Sequence, residues 1–190
     1  MLEQHYLDES LRQLRKLKTQ GDRALAQIQD EHLFRVLGPE SNSIAVIMKH
    51  LAGNMRSRWT DFLTTDGEKP DRQRDAEFEL GDADTPDRIR TAWEDGWTLV
   101  IDTIASLRPA DLERTVHIRG EAHTVLEAIN RQLTHYAAHI GQIVFLARHY
   151  AGDSWQSLSI PKGKSRAFDV AKDGSAYVVR PAGEPPSRGV

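Results

Sequence analysis

The sequence contains no cysteine, which excludes disulfides, thiolate metal sites and a cysteine nucleophile. Any metal bound by this chain must therefore take its ligands from imidazole and oxygen. Long apolar runs are missing too. Nothing approaches the ~20 consecutive apolar residues of a membrane span, and the mean hydropathy is -0.54. Neither sign of charge is in large excess: a formal net charge of -3 and a pI near 6.2 give no whole-molecule attraction to nucleic acid. The opening residues Met1-Leu2-Glu3-Gln4-His5 lack the basic-then-apolar layout of a signal peptide. The expectation is a soluble, cytoplasmic protein that acts on a small molecule and has neither a nucleic-acid nor a membrane partner.

What is present points to one helical domain. At 190 residues with 39% hydrophobic content, the chain can bury one sizeable core but not two. Apolar residues recur at helical spacing in four segments. The first covers residues 5–30, with Leu7, Leu11, Leu14, Leu25 and Ile28 near one face; Gly21 predicts a bend or fray within it, since glycine costs about 1 kcal/mol against alanine there. The second follows the loop Gly38-Pro39-Glu40-Ser41-Asn42-Ser43, whose last residues are N-cap candidates, and carries Ile44, Ile47, Leu51, Met55, Trp59 and Phe62 to about Thr65. The third opens on Thr85-Pro86-Asp87, a cap followed by a proline suited to a first turn, and stops before Pro109. The fourth starts after Thr124, with Glu127 three positions on as a capping box, and runs to Tyr150. Alternation around Gly120, from Thr115 to His123, predicts a short β-hairpin leaning on the helices.

The expected fold is therefore all-α: a four-helix bundle over residues 1–152, with the hairpin before the last helix. A long link over residues 66–84 permits parallel neighbours and favours up-down-down-up order. Its acidic residues, part of a crowded stretch over 66–95, are expected to be solvated. Residues 153–190 are expected to form an irregular C-terminal extension that docks on the bundle, with Trp155 and Ile160 packing on it or across an interface between chains, and its last residues are expected to be disordered.

The chemistry lies in the histidines. His135 and His139 are four apart on the fourth helix, so they share one face with Cβ atoms ~5–6 Å apart and can chelate one ion. A third ligand must come from another helix, and His50 sits within the apolar stripe of the second. Imidazole suits zinc, nickel, iron or copper better than magnesium or calcium. Three protein ligands leave a position for water or substrate, as in a catalytic site. The competing view is that such spacing arises by chance and the histidines are ordinary hydrogen-bonded residues; His123 is a reserve ligand, and His5, His32, His117 and His149 lack partners. Asn54 and Arg58 follow His50 on roughly the same face, Arg131 and Gln132 precede His135, and Gln142 follows His139. Asn54, Arg58 and Gln142 are the candidates for positioning substrate or orienting ligands, Arg58 being suited to an anionic group. Trp59 and Trp97 are core residues or walls of a pocket.

Three stretches resemble the DinB/YfiT-like superfamily, within it a bacterial subfamily of unknown function: His50-Leu51-Ala52-Gly53-Asn54-Met55-Arg56-Ser57-Arg58-Trp59; His135-Tyr136-Ala137-Ala138-His139-Ile140-Gly141-Gln142-Ile143; and Trp155 with Leu158-Ser159-Ile160-Pro161-Lys162-Gly163-Lys164-Ser165. The resemblance spans about residues 5–170. It implies an up-down-down-up bundle, a three-histidine site for one divalent metal ion (nickel or zinc), and a homodimer. His50 matches the ligand on the second helix, and His135 and His139 match the pair on the fourth. Relatives of this type include metal-dependent transferases and isomerases that use low-molecular-weight thiols such as bacillithiol or mycothiol. The leading expectation is a metal-dependent S-transferase for such a thiol. The alternatives are a metal-dependent hydrolase and a non-catalytic metal- or ligand-binding bundle, because fold does not fix function.

Overall fold

Apolar periodicity, with side-chain caps on three of them, produces four long helices among the described residues. In the computed structural model, which describes residues 1–163 in full and the backbone of residues 168–170 and 177–179, they are α1 (Leu2–Leu25), α2 (Ile44–Trp59), α3 (Pro86–Ser106) and α4 (Val125–Ala151). Each of the last three begins at the residue whose chemistry announces it. The Ser43 hydroxyl accepts from the Val46 N–H, and Thr85 from that of Arg88 ahead of Pro86. Thr124 accepts from the Glu127 N–H, while the Glu127 carboxylate accepts from the Thr124 N–H at 2.7 Å, closing the capping box. These bonds satisfy N–H groups that have no partner in the first turn.

Two helix ends and one bend differ from expectation. α1 stops at Leu25, and a separate 3-10 turn, Asp30–Phe34, follows. α2 ends at Trp59, where Thr60 turns extended and Asp61 takes a positive φ of 49°. The N–H groups of Thr64 and Thr65 then close back on the Asp61 carbonyl, and this turn still buries Phe62 in the core. At Gly21, α1 continues without interruption. A Cβ there would lie 2.9 Å from Trp93 Cζ2 and 3.1 Å from Ile140 Cδ1, so the glycine serves close packing of three helices.

The helices surround one core that includes Leu14, Ile44, Leu51, Met55, Trp93 and Ile140. α2 packs chiefly on α3 and α1 on α4, with lesser contacts between α1 and α3 and between α2 and α4. Among the described residues, no helix is long and apolar enough to cross a membrane. Trp59 and Trp97, 2% and 0% exposed, are core residues. Neither lines the cavity described below.

The hairpin forms as β1 (Thr115–Ile118) and β2 (Glu121–Thr124), paired antiparallel with Ile118 opposite Glu121. Its two turn residues both take positive φ, Arg119 at 57° and Gly120 at 75°, the geometry that matches strand twist. Val116 and Ile118 point into the core. Asp66, in the link after α2, accepts from the N–H groups of both Arg119 and Gly120, at 2.9 and 2.7 Å. The link and the hairpin thus hold each other.

After α4 the chain docks on α1. Trp155 and Leu158 pack against the core; Gln27 exchanges two hydrogen bonds with the Gln156 backbone, and Arg23 donates to the Leu158 carbonyl. The extension is not wholly irregular, because β3 (Phe168–Val170) pairs antiparallel with β4 (Tyr177–Val179). Aromatic and β-branched residues favour strands, and Phe168, Val170, Tyr177, Val178 and Val179 are of those types. The disorder expected at the chain's end, and Lys164 and Ser165 of the third motif, lie outside the described residues.

Candidate metal centre

Burial on α2 and one face of α4 bring the three predicted histidines together. One ring nitrogen from each of His50, His135 and His139 lies within 4.8 Å of the others, and they form the one such potential metal-holding group among the described residues. His123 and the remaining histidines stand apart from it. The Nε2 atoms of His50 and His135 face each other at 3.3 Å. Two nitrogens bound at ~2.0–2.1 Å to one tetrahedral ion would be separated by about that distance. The ring centroids of His139 lie 5.1 Å from His50 and 4.7 Å from His135.

Two of the rings have the right tautomer imposed on them. His50 Nδ1 pairs with Glu77 Oε2 at 2.8 Å. An imidazole N–H donated to a carboxylate leaves the other nitrogen bare and more basic. His139 Nδ1 pairs with the Gln142 amide oxygen, also at 2.8 Å, which leaves its Nε2 free in the same way. His135 Nδ1 is buried without a partner.

Electrostatics favours the neutral form of the two imidazoles on α4. Burial, reinforced by the neighbouring His139 and His50, lowers the pKa of His135 to about 3. Burial also lowers that of His139, against the hydrogen bond to Gln142. Neutral imidazole is the form that ligates metal. The donor set, the tautomers and the spacing therefore fit a divalent ion, held by three nitrogens and open on one side.

Residues 2–164 match the model of a family described as a protein of unknown function, DUF1572. The chain belongs to that DUF1572 family. The match takes in all three histidines, Glu77, Gln142 and Trp155. No curated protein matches the sequence.

In this DUF1572 chain the acidic link hides a functional residue that sequence reasoning missed. The stretch over 66–95 is not all solvated. Glu77, 7% exposed, belongs to a 3-10 turn, Asp75–Phe78, laid over α2. Gly53 makes the room: a Cβ there would come within 2.7 Å of the Glu77 Cδ. Arg72 grips both Glu77 oxygens, at 2.8 and 2.9 Å, a bidentate geometry that arginine favours. Burial acts to raise the Glu77 pKa, but the hydrogen bonds from His50 and Arg72 and the Arg72 charge overcome it, and the net shift is downward. Phe78 covers the His50 ring, with centroids 4.8 Å apart. The available signal was a glycine inside a helix beside a histidine. No periodicity in the link pointed to its partner.

The three predicted positioning residues occupy different places. Asn54, 5% exposed, lines the cavity beside His50, and its oxygen accepts from the Tyr136 hydroxyl at 3.3 Å, which in turn accepts from Trp59 Nε1 at 2.8 Å. Arg58 lines the same cavity but is committed to Glu68 at 2.8 Å and to the Gly67 carbonyl. Gln142 serves His139 and is not among the cavity-lining residues. The cavity has a volume of about 420 Å³, and His50 and His135 form part of its wall.

Proposed function

We propose that this chain is a metal-dependent enzyme with the up-down-down-up bundle of the DinB/YfiT-like superfamily, and that it transfers a low-molecular-weight thiol to an electrophile. One observation carries the metal-dependent part: three imidazoles from two helices converge beside a cavity, with no fourth protein ligand in their group among the described residues. The thiol and the preference for nickel or zinc come from the resemblance, as does the homodimer.

His50, His135 and His139 would hold the ion. When bound, a divalent ion supplies Lewis acidity, which lowers the pKa of a coordinated thiol and favours the nucleophilic thiolate. Glu77 and Arg72 fix the His50 ring, and Gln142 fixes that of His139. Asn54 forms part of the cavity wall with its oxygen already engaged, so only its amide N–H groups remain to meet a substrate. Arg58 contributes positive charge to that wall while remaining bonded to Glu68.

The test begins with elemental analysis of purified protein, where about one divalent ion per chain is expected and His139→Ala should lose it. Metal-loaded protein is then incubated with bacillithiol, mycothiol or glutathione and monochlorobimane. Conjugation no faster than in His139→Ala refutes the transferase reading. Turnover of esters or amides without thiol would instead establish the hydrolase. Sedimentation should give twice the 21.4 kDa mass of one chain, and a mass near 21.4 kDa would refute the homodimer.

A further inference from the structure

The cavity beside His50 and His135 is walled by five arginines, Arg58, Arg72, Arg74, Arg119 and Arg131, and no carboxylate lines it. The carboxylates behind them do not balance that charge. Glu68 is shared by Arg58, Arg72 and Arg119, at 2.8, 3.2 and 3.3 Å, and Glu77 is spent on Arg72 and His50. Among the described residues Arg74 pairs only with the exposed Asp75, at 3.7 Å, and it lies over the Phe78 ring. The side chain of Arg131, exposed and one turn before His135 on α4, has neither an ion pair nor a hydrogen bond among the described residues. A concave surface with surplus cations concentrates anions. Gln132, 3% exposed, also belongs to the cavity wall, with its Oε1 buried and unpartnered.

The sequence scatters these groups over α2, the link, the hairpin turn and α4, and the fold converges them. Arg119 is placed by its positive φ, which Asp66 secures through the two turn N–H groups. Arg58 and Arg72 are buried and tied, so they supply field. Arg131 and Arg74 keep donors free for direct contact.

We propose that this cavity binds the anionic, non-reacting end of the substrate, a group with at least two negative charges on oxygen, and that Arg131 is its principal docking cation. As a substrate class for the centre above, the inference rests on the metal-dependent reading; as anion recognition, it is separately testable. A phosphate monoester and a dicarboxylate share the required chemistry. Arginine forks suit either.

The experiment is calorimetric titration of the full-length chain, metal-free and metal-loaded, with glycerol phosphate, succinate, acetate and glucose. One dianion at least should saturate the protein, bind about tenfold or more tighter than acetate, and weaken as salt rises. The tighter of the two identifies the phosphate or the carboxylate source. Arg131→Gln, a change on an exposed side chain, should weaken that dianion about tenfold or more. Failure of both dianions to saturate at about 10 mM, or equal affinity in Arg131→Gln, overturns the proposal. His139→Ala separates the two readings, because His139 does not line the cavity. Dianion binding by a wild-type protein that takes up no metal would refute the metal centre alone. Metal uptake without Arg131-dependent dianion binding would refute the anion site alone.

Discussion

Replacing Glu77 tests the arrangement behind the centre most directly. Its side chain is 8% exposed and that of Arg72 is 4% exposed, so the pair is screened little by water. Breaking a buried ion pair by deleting one partner costs about 3–5 kcal/mol, because the other charge stays buried. Arg72 keeps one further contact with Glu68 at 3.2 Å, which places Glu77→Ala near the lower end, about 3 kcal/mol. Glu77→Gln keeps the shape and one acceptor oxygen, but turns an amide N–H₂ toward either His50 or Arg72. Hydrogen bonds to charged groups contribute about 1.5–3 kcal/mol, so about 2 kcal/mol is expected for this variant. Loss of an orienting partner also weakens metal binding about 10–100-fold. Stability is read from the urea midpoint at constant slope, and metal affinity from competition with a chromogenic chelator. Arg56→Gln is the control: its pair with Asp71 is 2.7 Å long but 64% and 67% exposed, and such pairs are worth about 0–1 kcal/mol. If Glu77→Gln changes stability by no more than Arg56→Gln and leaves metal affinity within about threefold, the carboxylate does not hold the His50 ring.

Three further outcomes follow from the same geometry. Gly53→Ala gains about 1 kcal/mol of helix propensity, yet its methyl group would sit 2.7 Å from the Glu77 Cδ; metal affinity should fall with Glu77 displaced, and a chelator titration equal to wild type would contradict this. Tyr136→Phe strips the buried Trp59 Nε1 and Asn54 Oδ1 of their shared partner, a loss of about 1–3 kcal/mol to be read by urea unfolding. In metal-free protein, His135 is held neutral down to about 3 against an ordinary 6.5, so the unfolded state takes up a proton that the folded state refuses. Its contribution to stability is level above pH 6.5 and is lost as the pH falls toward 3, with His139 acting in the same direction. Urea midpoints should therefore fall between about pH 7.5 and pH 5, a range in which ordinary carboxylates stay largely ionised; a midpoint that holds or rises would oppose it.

Local chemistry decided the parts of this protein that a sequence can carry. Ser43, Thr85 and Thr124 start their helices because a hydroxyl can reach an N–H three residues on. The hairpin turns at Arg119-Gly120 because alternating apolar residues flank a residue that tolerates positive φ. His135 and His139 share a face because the helix repeats every ~3.6 residues, and the apolar neighbours of His50 turned it inward. Only tertiary structure decided the rest. The Glu77–His50 bond spans 27 positions from a link with no periodicity, and it depends on a space that Gly53 leaves open. The arginine wall draws on four segments, none of which is unusually basic by itself. Periodicity reports which face of an element is buried, whereas a charged cluster built from separate segments exists only once packing has set the distances between them.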